Sequence, residues 1–305
     1  MKNLIKKVFF FSTPPIIALI SIGFIVDGTT DAFYIRFTTP KQQSLILGTS
    51  RAAQALQPIV FKKVLKKDIY NYSFTGTQSP FGKIYYESIK QKHNKAKNGI
   101  FIIAIDPWSI SSQCENPNDL SSFRENNLCL DNTYLVDIKP NYQYLYKNLE
   151  GKYKDIFIPP TNYMYLHTDG WLEIKDLAMD SLSILRRTDV KINTYRNEML
   201  PKSKFSTTRL LYLKKTVSYL KEFGEVYLVR IPIHDRMMQI ENDLMPNFNI
   251  KIKEVQAISN GYIDLTTRNG EFKYLDGTHL HQDSGKKVSI ILANWIKNQQ
   301  KKNKY

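Results

Sequence analysis

Cysteine is scarce in this chain, with Cys114 and Cys129 the only two in 305 residues. That excludes a disulfide-stapled miniature scaffold and a Cys-rich zinc module. No G-x-G-x-x-G, G-x-x-x-x-G-K-[ST] or H-E-x-x-H pattern occurs, so neither a phosphate-cradling glycine loop nor a helical zinc pair is expected, and no cofactor is called for. Acid is short as well: 28 Asp and Glu face 43 Lys and Arg, a formal charge of +15. Internal repeats and low-complexity tracts are missing too. What is present is globular in composition, 42% hydrophobic and 12% aromatic. The length suits one large domain or two modest ones.

Val8 to Val26 carry no charge over about 19 positions, close to the roughly 20 that a helix needs to cross a bilayer core. The run is long for a cleaved signal, and the residues after it, Asp27-Gly28-Thr29, offer no small-x-small site, so an uncleaved anchor is expected. Pro14 and Pro15 are tolerable in a membrane helix. Lys2, Lys6 and Lys7 precede the span, and only Arg36 and Lys41 follow closely, which puts the amino terminus inside and the remainder outside the cytoplasm. There the positive charge points to anionic headgroups or envelope polymers rather than nucleic acid. An oxidising space also favours a Cys114–Cys129 disulfide.

After the anchor (1–26) and a linker (27–43), short apolar runs alternate with amphipathic stretches. Strands are expected at Ser44–Leu47, Asp68–Phe74, Gly99–Ile105, Glu225–Ile231 and Tyr262–Leu265. Helices are expected over Arg51–Leu65, broken near Pro58, and over Phe81–His93, Thr207–Phe223, Ile252–Ser259 and Gln282–Asn298. This alternation predicts a three-layer α/β/α domain over 44–305, built on a doubly wound, mostly parallel sheet. Residues from about 110 to 201, rich in Tyr, Asn and Asp, read as an excursion covering the carboxyl edge of the sheet, where open α/β folds bind ligands.

Two segments carry chemistry. Leu45-Ile-Leu-Gly-Thr-Ser50-Arg51 is strand, glycine, serine, helix. Ser50 there is either a nucleophile whose backbone N–H lends half an oxyanion hole, or a helix cap. Asp276-Gly-Thr-His279, ahead of the last helix, lets the carboxylate hold one imidazole nitrogen while the other faces a nucleophile as general base.

GTSR after the first strand and DGTHL before the last helix resemble the first and last blocks of the SGNH (GDSL-like) hydrolases. The resemblance spans roughly Ser44 to Asn298, although only its two ends match specific motifs. It is closest to membrane-anchored relatives that modify envelope polymers, including D-alanyl transfer and polysaccharide O-acyltransferase or esterase proteins. It implies a flavodoxin-like sheet, Ser50 as nucleophile, His279 as base, Asp276 as its orienter and Gly76 as a second oxyanion N–H. It also implies a multi-pass, acyl-exporting membrane partner. The family's asparagine after the third strand is absent, since Ile105-Asp106-Pro107-Trp108-Ser109 stands there.

Candidate substrate contacts are Arg51, Asp106, Trp108, His234 and Trp171. Tyr142, Tyr144 and Tyr146 offer a sugar-stacking platform, or simply packing. His281 is a weaker candidate base than His279, and a metal held by His279, His281 and Asp283 is not expected. The function expected is a membrane-anchored serine esterase or acyltransferase acting on acyl groups, acetyl foremost, of a surface polysaccharide. A catalytically silent glycan-binding scaffold is the alternative, and a lipid-directed esterase the third reading.

Overall fold

The computed structural model describes residues 1–149, 153–158 and 164–302; part of the excursion and the last three positions of the expected domain lie outside the described residues. Five parallel strands form the central sheet: β1 (Leu45–Leu47), β2 (Tyr70–Asn71), β3 (Gly99–Ala104), β4 (Gly224–Arg230) and β5 (Tyr262–Asp264). Their spatial order is β2-β1-β3-β4-β5. The helices used below are α1 (Lys2–Ile25), α2 (Ser50–Ala55), α3 (Pro58–Leu65), α4 (Lys83–Lys92) and α5 (Tyr142–Asn148), followed by α6 (Ser181–Thr194), α7 (Thr207–Lys221), α8 (Asp235–Leu244) and α9 (Gln282–Lys302).

Alternate residues of each strand enter opposite cores. Leu45, Leu47, Phe101, Ile103, Val226 and Leu228 pack with Tyr85 and Ile89 of α4 and Leu213, Val217 and Leu220 of α7. Ile46, Ile100, Ile102, Tyr227 and Val229 pack with Ala52 and Ala55 of α2, Phe61 of α3 and Val288, Leu292 and Ile296 of α9. Burial on both faces is why these strands read as unbroken apolar runs instead of alternating ones. The chain turns outward in both directions from the β1/β3 pair, and the carboxyl ends of those strands form the crevice where such sheets hold ligands.

Three expectations need adjustment. The second strand is only two residues long, with Tyr72 to Phe74 continuing as buried irregular chain. The expected linker is folded against the domain: Tyr34, Arg36 and Phe37 form a buried helical turn, and Arg36 donates to the carbonyls of Ala32, Asn71 and Gly170. The expected disulfide is not formed. Cys129 faces the core beside Gln78, while the thiol of Cys114 turns toward the carbonyl of Ser122, so their different surroundings keep the two sulfurs apart.

α1 is long and apolar enough to span a membrane, with mean hydropathy 2.1, and nearly all of it is exposed. Its carboxyl end is held by the domain, since Tyr142 Oη donates to the Ile20 carbonyl at 2.6 Å and Gly23 is buried against Pro140 and Tyr142.

Candidate active site

β1 delivers Ser50 to the crevice through a turn that only glycine permits easily. Gly48 has φ +149°, and a Cβ there would lie 2.9 Å from the Ala52 Cβ and 3.0 Å from the Ala104 Cβ. Thr49 then occupies the cap position of α2 and Ser50 its first helical residue, with no side-chain cap bond made. The Ser50 hydroxyl is therefore not spent on the helix end. It lies 2.9 Å from His279 Nε2.

The imidazole is fixed by a tight loop closed by an antiparallel bridge between Tyr274 and Leu280, with the Leu275 N–H donating to the His279 carbonyl at 2.8 Å. Inside this loop, Asp276 Oδ1 accepts from the backbone N–H groups of Thr278 (2.6 Å) and His279 (2.8 Å) and from the Thr278 hydroxyl (2.9 Å). Asp276 Oδ2 lies 2.9 Å from His279 Nδ1. A carboxylate accepts from Nδ1–H, which leaves Nε2 as acceptor for the Ser50 O–H. Burial pushes the Asp276 carboxyl up, but the facing imidazole and the hydrogen bonds from His279 and Thr278 outweigh it and hold the group well below the ordinary carboxylate range.

No family model and no curated protein matches this chain.

Ser50, Asp276 and His279 line one cavity of about 880 Å³, within the size range of small-molecule sites. Gly76 and Trp108 line it too. The indole ring of Trp108 packs edge-on against Tyr195, and its Nε1–H has no partner among the described residues.

One wall comes from the excursion, through an element that the sequence reading passed over. α6 contributes Arg186, Arg187, Val190, Lys191 and Thr194. It also braces the His279 loop: Arg187 Nε donates to the Leu275 carbonyl at 2.9 Å, Lys191 Nζ sits 3.9 Å from Asp276 Oδ2, and Ile192 lies against Gly277. The signal was available in Asp180, which caps the helix by accepting from the Ser183 N–H, and in the spacing of Ile184, Thr188 and Ile192. Polar flanks and a short apolar stripe hid it.

Four expected contact residues do not line this cavity. Arg51 is buried and pairs with Glu241 at 2.6 Å, with Asp106 Oδ2 at 3.7 Å; Glu241 also holds Arg230 at 2.9 Å. Asp106 in addition accepts from the Ser109 N–H and closes the turn after β3. A buried guanidinium requires a carboxylate partner, and Glu241 and Asp106 supply it to Arg51. His234 caps α8, its Nδ1 accepting from the Arg236 N–H, with its ring against Tyr274. Trp171 stacks on His167 and donates to the Gln54 carbonyl, fastening the hairpin of Met164–Leu166 and Leu172–Ile174 to α2. The tyrosines divide: Tyr144 is buried and donates to Asp31, Tyr142 reaches α1, and Tyr146 is exposed. His281 interacts with Asp283 at 3.5 Å, and no grouping suited to a metal ion occurs among the described residues.

Proposed function

We propose that this chain is a membrane-anchored serine esterase or acyltransferase of the SGNH type, acting outside the cytoplasm on ester-linked acyl groups, acetyl foremost, of a cell-surface polysaccharide. The observation that carries the proposal is the continuous chain Ser50 Oγ, His279 Nε2, His279 Nδ1, Asp276 Oδ2, with both contacts at 2.9 Å, inside a cavity at the carboxyl edge of the sheet.

In the proposed reaction, Ser50 Oγ attacks the acyl carbonyl carbon as its proton passes to His279 Nε2. The Ser50 N–H, with no intrahelical partner at the start of α2, and the Gly76 N–H stabilise the oxyanion. The protonated imidazole returns its proton to the departing sugar oxygen, leaving an acyl-serine. Water or a second sugar hydroxyl, deprotonated by His279, then takes the acyl group and restores Ser50. Asp276, ionised throughout, holds the tautomer and offsets the imidazolium charge. α1 supplies the membrane attachment, and a multi-pass partner that exports acyl groups would supply the donor.

A silent glycan-binding scaffold is the second reading, favoured by the turn after β3, where Asp106 is committed to Arg51 and Ser109 and no asparagine donor stands. A fluorophosphonate probe decides between them. Labelling of the wild type that disappears in Ser50→Ala supports the enzyme. A folded wild type that never labels yet binds glycan overturns it.

A further inference from the structure

The cavity around Ser50 carries a lopsided charge. Arg124, Arg186, Arg187 and Lys191 line it, and among the described residues Asp276, engaged by His279, is the one carboxylate that does so. α6 sorts its charges by face. Positions 187, 191 and 194, with 186 and 190, turn toward the cavity, whereas Asp189 points away and pairs with Arg236 at 2.6 Å. The acid that would have neutralised this wall is spent elsewhere.

The cations also differ in how far they are engaged. Arg187 is committed to the carbonyls of Leu275 and Ala178, and Arg124 bonds the neutral side-chain carbonyl of Gln113 at 2.8 Å. Arg186 is exposed at the wall. Neither Arg124 nor Arg186 has a carboxylate within ion-pair distance among the described residues. Other basic side chains nearby are matched: Arg209 to Glu125, and Arg51 and Arg230 to Glu241. Ala32, Phe33, Met164 and Leu172 also line the cavity and give it apolar surface.

From this we infer that the site selects a glycan bearing negative charge, a carboxylate or phosphate held by Arg186 and Arg124, while its acyl group lies toward the apolar surface. The inference rests on the esterase or acyltransferase reading for the identity of the acyl chemistry, but the anion subsite itself does not require turnover. A cleft with uncompensated charge of one sign concentrates ligands of the other and loses that advantage as salt screens it.

The test uses the full chain in detergent with Ser50→Ala, so that binding is read without chemistry. It is titrated with tetragalacturonate, a four-unit glycerol phosphate oligomer and maltotetraose. At least one of the two anions is expected to bind tenfold or more tightly than the neutral sugar at low salt, and the two arms tell carboxylate from phosphate. The margin should shrink in 0.5 M NaCl and fall several-fold in Arg124→Gln/Arg186→Gln, with the melting curve unchanged. The matching Arg→Lys pair should retain most of it. Equal affinity for all three ligands, or a preference untouched by salt and by the Gln pair, overturns the inference. Anion binding without probe labelling of Ser50 sinks the enzyme reading alone and leaves the subsite standing.

Discussion

His279 Nε2 lies 2.9 Å from Ser50 Oγ across 229 positions of sequence. Nothing local forces that meeting. It follows from β1 ending at the crevice beside the loop that leads into α9.

The contact makes a kinetic prediction. His279→Gln should lower kcat for ester cleavage by roughly 10²–10⁴, as expected for loss of a general base. Asp276→Asn should fall in a similar range, because the amide favours the wrong imidazole tautomer. Steady-state assays on a chromogenic acetate ester check both. Activity within twofold of wild type in either variant would remove that residue from the mechanism.

Glu241 joins Arg51 and Arg230 in a setting where all three side chains are at most 7% exposed. Glu241→Ala strands two buried guanidinium groups and should cost about 3–5 kcal/mol. Thermal unfolding measures this. A loss under about 1 kcal/mol would show that Asp106 and Asp264, each 3.7 Å from its arginine, suffice alone.

With no disulfide, the protein should contain two titratable thiols after denaturation without reductant. In the folded state they should differ: Cys129 is buried and burial raises its thiol pKa, so it should resist alkylation, whereas half-buried Cys114 should react. Mass spectrometry after iodoacetamide treatment reads both sites. A tryptic peptide pair linked through Cys114 and Cys129 would contradict the structure.

His93 is buried, its ring packed edge-on against Phe101 and Phe223, with Nδ1 3.2 Å from Tyr219 Oη. Burial, aided by repulsion from Lys95, lowers its pKa to about 4. Because the unfolded chain takes up a proton near pH 6.5 that the folded chain refuses, this contribution to stability is fully present above about 6.5. It is lost as the pH falls toward about 4, by roughly 3 kcal/mol. Denaturant melts across that window should show the decline, and His93→Phe should flatten it.

Much of the architecture was legible along the chain. Gly99 to Ile105 announced a doubly buried strand because the sheet is covered on both sides, and the uncharged run before Asp27 announced a helix able to cross a membrane. Asp276 and His279 could be paired from their spacing, since three residues around a glycine close a loop of the right size. Arg51 and Asp106, expected as substrate contacts, are engaged in buried ion pairs and do not line the cavity. Sequence order placed them at the carboxyl edge, but Glu241, the carboxylate that draws Arg51 into a buried ion pair beside Asp106, comes from a helix nearly two hundred positions away. α6 was missed because a half-exposed cavity wall needs only a thin apolar stripe.

Local chemistry in the sequence therefore determined the strands, the apolar amino-terminal helix, the glycine turn before Ser50 and the loop that holds His279. Tertiary structure decided which of these share a space, that Ser50 faces an imidazole instead of capping its own helix, and that the basic residues of α6 border the site. The reason is physical: hydrophobic periodicity and turn preferences act over a few residues, whereas a side chain's final partner depends on packing between segments far apart in the chain.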